Sequence, residues 1–278
     1  MTKLIKYLNL IILLLVASAA YAETTNCTAI TTVPYKITAP GVYCLTGHLS
    51  LGRTSGRAIL IGADDVVLDL NGWTLSGLSA GPSTATTGIK AYQRKNITIR
   101  NGTIRGFYYG IFLQDLSPYT TSQGHLVEDI HAEKNTFIGI LIHGRDNTVR
   151  RNQVLDTGGS VIRSDAYGIA LAGSGGRALN NDITGTVATT DELACGLFIY
   201  LADGAVVEGN RIADVKRDIG SAFGIYIITS SYVLARANSI SSAEIGIFYD
   251  TSSGKYMDNL TSNVTFPFIG GTPIGFNN

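Results

Sequence analysis

The densest set of chemistry-bearing side chains in this 278-residue chain is Gln114, Asp115, His143, Arg145 and Asp146. A carboxylate that orients an imidazole beside a guanidinium suits acid–base work on an acidic sugar. In that reading Asp115 orients and His143 is the base, because an unperturbed histidine titrates near neutrality. Arg145 offsets the sugar carboxylate. The bland alternative is a solvated turn with ordinary ion pairs. A second set is aromatic: Phe112, Phe198, Tyr226 and Phe248 recur at one position of a repeat, with Tyr200 two residues beyond Phe198. An outward file of rings is a platform for stacking on sugars or a partner, and the alternative is burial beneath long loops. The candidate catalytic residues are therefore His143, Arg145 and Asp115. The candidate substrate-binding residues are Phe112, Phe198, Tyr200, Tyr226, Phe248 and Asp146. His48, His125 and His131 have no ligand spacing that recommends a metal, and no cofactor is expected.

Those residues need a scaffold, and composition narrows the choice. Lys+Arg and Asp+Glu are equal at 21, and charged residues are only 15%. A zero formal charge argues against a nucleic-acid binder that works by phosphate neutralisation. A hydrophobic fraction of 45% argues against disorder. Lys3 and Lys6, an apolar run from Leu8 to Val16 and Ala20-Tyr21-Ala22 make a secretory leader over residues 1–22. The expected destination is the periplasm or the extracellular space, with no membrane span after cleavage. An oxidising compartment favours a disulfide between Cys27 and Cys44, which lie close together ahead of the repeats. Cys195 is then a lone thiol.

The rest of the chain repeats. A Gly-apolar pair recurs at Gly88-Ile89, Gly110-Ile111, Gly139-Ile140, Gly168-Ile169, Gly196-Leu197, Gly224-Ile225 and Gly246-Ile247, with Ala58-Ile59 as an earlier member. Taking the Gly as position 0, positions −1, +1 and +3 are mostly apolar. The period is 2 rather than 3.6, so the three are expected to share the inner face of a short strand. That places Cys195, at −1, in an inward column between Tyr167 and Phe223. Each unit also carries an asparagine, as in Asn152-Gln153-Val154, Asn181-Asp182-Ile183, Asn210-Arg211-Ile212 and Asn238-Ser239-Ile240. Asn tolerates a left-handed turn, and one Asn per coil can stack into a hydrogen-bonded ladder. Short strands at a fixed repeat, without a helical period, predict an all-β parallel solenoid of about eight coils.

Pro40-Gly41-Val42-Tyr43-Cys44-Leu45, Val67-Leu68-Asp69-Leu70-Asn71-Gly72-Trp73-Thr74-Leu75-Ser76-Gly77 and Ile97-Thr98-Ile99-Arg100-Asn101-Gly102-Thr103-Ile104 carry a family likeness. They resemble the single-stranded right-handed parallel β-helix of the pectate-lyase-like superfamily, and more closely the exported bacterial β-helix repeat proteins grouped with periplasmic copper-site accessory proteins. The resemblance spans about residues 27 to 263 and consists of scaffold residues, so it implies fold more than activity. The catalytic signatures of the polygalacturonase-like, pectin-methylesterase-like and mannuronan-epimerase-like enzymes are missing. The implied plan is a leader (1–22), an N-terminal cap with first strands (23–57), β-helix repeats (58–263) and a C-terminal cap (264–278).

Extra residues mark where a site would lie. Segments 79–86, 158–166, 185–194 and 215–222 all precede a Gly-Ile strand, so they leave the solenoid at one corner and stack as a wall. Segment 116–124 leaves from the opposite end. The expected function is binding or processing of polysaccharide or oligosaccharide by a monomer along a groove over the Gly-Ile strands. The alternative is a non-catalytic structural or interaction solenoid of the cell surface or periplasm.

Overall fold

The computed structural model describes residues 26–189, 192–218 and 221–278, so the leader expected at 1–22 lies outside the described residues. Apart from one 3-10 turn at Leu78–Ala80, the regular structure among the described residues is strand. The pairings are parallel, and they sort into three faces of a prism. One face contains Tyr35–Ile37, Arg57–Ile61 and every Gly-Ile strand, from Thr87–Tyr92 to Ser239–Asp250. A second face runs from Thr28–Ile30 through Gly41–Leu45 and Val66–Asp69 to Gly254–Met257. The third holds the asparagine-proximal strands, among them Gln153–Gly158 and Asp182–Ala188. This is a right-handed parallel β-helix, the hand that parallel crossovers take. Parallel pairing continues on both sides of 58–263: Thr28–Ile30 and Gly41–Leu45 already form rungs, and Leu260–Ile269 is one continuous strand. The Cys27–Cys44 disulfide ties the first two rungs together.

The interior follows the repeat at two of its three apolar positions. Ile89, Ile111, Ile140, Ile169, Leu197, Ile225 and Ile247 at +1, and Leu113, Ile142, Leu171, Ile199 and Ile227 at +3, fill one continuous core. Burying each contributes about 1.5–3 kcal/mol relative to leaving it in water.

The −1 position does not face inward. Tyr109, Ile138, Cys195, Phe223 and Ile245 belong to two separate clusters on the outer side, where they meet +2 residues: Tyr109 stacks on Phe112 at 4.7 Å and Phe223 on Tyr226 at 4.6 Å. The glycine is the reason. A Cβ on Gly168 would lie 2.5 Å from Ile183 Cγ2, a core atom, and 2.7 Å from the Gly196 carbonyl oxygen. Position 0 therefore points inward and touches the next coil, directly before an inward +1. The alternation loses one step there, and −1 joins +2 on the outside.

The asparagine ladder forms. The side-chain amide nitrogens of Asn152, Asn181, Asn210 and Asn238 each donate to the carbonyl oxygen of the next asparagine at 2.9–3.0 Å, and Asn259 donates on to Asn277 at 3.2 Å. The left-handed residue is the one before the ladder, for example Arg151, Asn180 and Ala237. The ladder asparagines are selected for buried hydrogen bonding, not for turn conformation.

Candidate functional site

Ahead of the Gly-Ile strands the segments expected to form a wall bond to one another where they are described, while residues 190–191 and 219–220 lie outside the described residues and 185–188 and 216–217 remain strand. The Ala85 amide donates to the Thr54 carbonyl, Val161 to Pro82, Thr189 to Ser164 and Ala166 to Leu193. Asp165 binds Arg163 at 3.2 Å and accepts the Leu193 amide at 3.1 Å, while Arg217 donates to the Glu192 carbonyl at 2.9 Å. The Arg163 guanidinium lies over the Phe137 ring. Beneath this wall Cys195 is fully buried, and burial pushes its thiol far above the usual range. It is an inert packing residue in the outer cluster, not in the inward column. Burial likewise pushes the Tyr109 hydroxyl up to about 12.

The aromatic file is graded between covered and open. Phe112 and Tyr226 are 8% exposed, and Leu141 and Ala170 between them are also buried. Phe198, Phe248 and Tyr200 are half-buried. Phe198 stacks with Tyr200 at 6.1 Å and tilts against Tyr226 at 5.6 Å. Tyr226 stacks on Phe248 at 5.4 Å, and its hydroxyl donates to Asp250 Oδ2 at 2.6 Å. Burial, then Asp250, raises the Tyr226 hydroxyl well above its ordinary range, so it stays a donor. The surface on offer is therefore the Phe198, Tyr200 and Phe248 stretch. Phe112, three coils away in the same column, instead packs against Tyr109 and the His143 ring.

The polar set assembles differently from its expected triad. Asp115 is 2% exposed, and its carboxylate accepts the backbone amides of Leu116 at 2.8 Å and of Thr121 and Ser122 at 2.9 Å. Burial alone would raise its pKa. The three amides and the Gln93 side chain outweigh that and lower it. Asp115 thus holds loop 116–122 shut. His143 Nδ1 lies 3.1 Å from the backbone oxygen of Asp115 and 3.4 Å from its backbone nitrogen, so the imidazole engages the main chain and not the carboxylate. Burial lowers the His143 pKa against the opposing effect of Asp115, which leaves a neutral ring at pH 7. Arg145 is exposed and donates to Gln123 Oε1 at 3.0 Å. Asp146 is exposed on a left-handed turn beside Gly175. Register brings Asp115 and His143 together through adjacent strands, but Arg145 and Asp146 point along the following turn.

One participant escaped the sequence reading. Tyr119, held by the Asp115-capped loop, places its ring 4.7 Å from His143 and 6.2 Å from Tyr200. Burial, then Tyr200 and Asp115, raise its hydroxyl pKa. The only hint was an aromatic inside a loop known to leave at that strand end. Cavities of about 300, 350 and 550 Å³ lie on other surfaces, around Gly158, Glu244 and Tyr232 respectively. The candidate site is a ring-lined face with a His143–Tyr119–Tyr200 cluster at one margin.

The sequence model of a family described as periplasmic copper-binding protein (NosD) matches residues 72–223, more than half of the chain. No curated protein sequence matches significantly. Among solved structures, the enzymatically active domain of bacteriophage CBA120 tailspike protein 2 is 17% identical at a TM-score of 0.63, over 85% of this chain and 38% of that one. The mannuronan C-5 epimerase AlgE4 A-module of Azotobacter vinelandii is 12% identical at a TM-score of 0.54, over 84% of this chain and 79% of that one. This chain thus spans well under half the length of the tailspike protein that it resembles. At these identities the likeness is one of fold.

The family description raises copper, and the donor set can be tested against it. Among the described residues no group of three or more His, Cys, Asp or Glu could hold a metal ion. Two cysteines are joined and the third is buried with a raised pKa. His125 is buried with its Nε2 unpartnered, and its pKa is held near 4 by burial. The soft sulfur and clustered imidazoles that copper selects do not converge here, so the residues present do not fit a resident copper site.

Proposed function

This chain belongs to the NosD family, and from that premise and the outer face of its β-helix we propose that it is an exported, periplasmic protein that binds polysaccharide along the outward side of the Gly-Ile strands. The observation that carries the reading is the partly open set of rings at Phe198, Tyr200 and Phe248, with Tyr226 locked between Phe198 and Phe248. Flat, partly exposed rings offer stacking surfaces to pyranose faces, whose C–H groups stack on aromatics. The wall of loops on one side and Tyr119 on the other limit how a chain can lie. The fold likeness to a mannuronan epimerase supports a polysaccharide ligand in general terms.

If the face also does chemistry, His143 is the base. Its Nδ1 is fixed by the Asp115 main chain, which leaves Nε2 for a substrate proton. Tyr119, whose ring lies against His143, is then the candidate donor. Asp115 acts by shaping the loop. The second reading, a non-catalytic interaction solenoid, is favoured by the burial of Phe112, Leu141, Ala170 and Tyr226, which takes half of the file out of reach.

A glycan array with the purified chain tests binding, and ultraviolet absorbance of unsaturated products from a polyuronate panel tests lyase chemistry. Phe198→Ala with Tyr200→Ala should abolish glycan capture while the fold persists by circular dichroism. Capture that survives this pair sinks the platform. Cleavage that survives His143→Ala places the chemistry elsewhere. If no glycan is captured, the interaction solenoid is the better reading.

A further inference from the structure

The outward column that carries the rings begins with cations. Traced toward the N-terminus through the strand register, Phe112 pairs with Lys90, Lys90 with Leu60 and Leu60 with Lys36. Arg57, paired with Thr87, occupies the −1 position of its own coil, three residues before Leu60. Positions −1 and +2 share the outer side throughout this face, as Tyr109–Phe112 and Phe223–Tyr226 do. Arg57 and Lys90 therefore come to one patch. The Lys90 ammonium lies 5.2 Å from the centroid of the Phe112 ring, at the end of the aromatic file. Burial, and then the field of Arg57, lower its pKa.

Neither cation has an acidic partner among the described residues. On other faces several arginines of stacked coils are matched: Arg100 with Asp69, Arg150 with Glu128, Arg211 with Asp182 and Arg236 with Glu208. Two like charges held together without a counter-charge repel until an anion arrives. At the other end of the same face the charge is reversed, with Asp250 held by the Tyr226 hydroxyl. The outward columns of this face thus carry Arg57 and Lys90 toward the N-terminus and Asp250 toward the C-terminus.

We propose that Arg57 and Lys90 form an anion-binding subsite at the N-terminal end of the aromatic face, which takes a carboxylate or sulfate group carried by the bound glycan. This rests on the reading of that face as a polysaccharide surface, and adds the charge class of the ligand and the direction in which it lies. A guanidinium gives such a group a two-pronged contact, and the ammonium, resting on a ring, adds a point charge.

Calorimetric titration of the purified chain with hyaluronan oligosaccharides, dextran sulfate and neutral dextran tests the subsite and separates carboxylate from sulfate. Arg57→Gln with Lys90→Gln should weaken binding of the charged glycans by about tenfold or more and flatten its salt dependence, while Arg57→Lys with Lys90→Arg retains most of it. Unchanged binding of charged glycans by the glutamine pair, alongside loss in Phe198→Ala with Tyr200→Ala, overturns the subsite and leaves the platform standing. A second measurement follows Lys90 directly: reductively ¹³C-methylated protein, with the Lys90 signal assigned from Lys90→Arg, is titrated with glucuronate and with sulfate. A Lys90 shift without any glycan bound by the rings supports the subsite and removes the platform. No shift and no charged-glycan binding overturns the subsite.

Discussion

On the inner side of the Gly-Ile strands the +1 row reads Ile, Ile, Ile, Ile, Leu, Ile, Ile from Ile89 to Ile247, and each member is essentially fully buried. On the outer side the +2 row of the same strands reads Lys90, Phe112, Leu141, Ala170, Phe198, Tyr226, Phe248. The two rows share a backbone and a spacing, yet one is nearly uniform and the other runs from a lysine through aliphatic residues of different size to a set of rings. An interior column must match the column beside it at fixed coil spacing, so a single aliphatic shape serves all along. The outer side has no such constraint. Its variation therefore reflects the loops that cover it and whatever it binds, and it is the place to look for function.

The largest test of that contrast is inside. Ile140→Ala should cost about 4 kcal/mol by urea denaturation, because it leaves a cavity in a continuous column. A loss below about 1 kcal/mol would show that the column is not close-packed. Breaking the other buried column comes next: Asn181→Ala strips the Asn152 amide of its acceptor and should cost about 3 kcal/mol. Asn181→Asp, which keeps the acceptor but loses the donors to Val149 and Asn210, should fall between.

Acid probes the same interior. The His125 pKa falls from its ordinary 6.5 to about 4 on folding, so the unfolded chain binds the proton first. The stabilisation is therefore full above pH 6.5 and is lost as pH falls through the window from 6.5 to about 4, by up to about 3 kcal/mol. His125→Gln should flatten that part of a melting-temperature profile. A wild-type profile already flat there would show that His125 is not buried as described. The smallest stability effect belongs outside: Phe198→Ala should cost only about 1 kcal/mol, because the ring is half-buried, and should appear mainly in glycan binding. If it costs as much as Ile140→Ala, the outer cluster is a second core and the contrast fails.

Much of the fold was legible because stacked coils repeat their environment. The Gly-Ile interval, the inward +1 and +3 rows, the asparagine ladder and the corner from which long loops leave are all local patterns repeated at coil spacing. The disulfide was legible from proximity and compartment. The candidate site was legible only in outline. Phe198, Tyr200, Phe248 and His143 lie on the outer face as their alternation predicts, but Tyr119 could not be placed, because it reaches His143 through a loop whose path depends on the Asp115 carboxylate.

By itself the sequence determined a parallel β-helix with its interior rows, since the 2-residue alternation and the coil interval are consequences of side-chain periodicity. Only the tertiary structure decided which way the −1 row faces. Strict alternation sends Tyr109, Cys195 and Phe223 inward, but a residue without a Cβ can be pressed against the neighbouring coil and shift the alternation by one step. The tertiary structure also decided that Asp115 spends its carboxylate on three loop amides instead of on His143. Which acceptor a buried carboxylate satisfies depends on where the loop backbone comes to rest, and that is set by the packing of coils against one another, not by spacing along the chain.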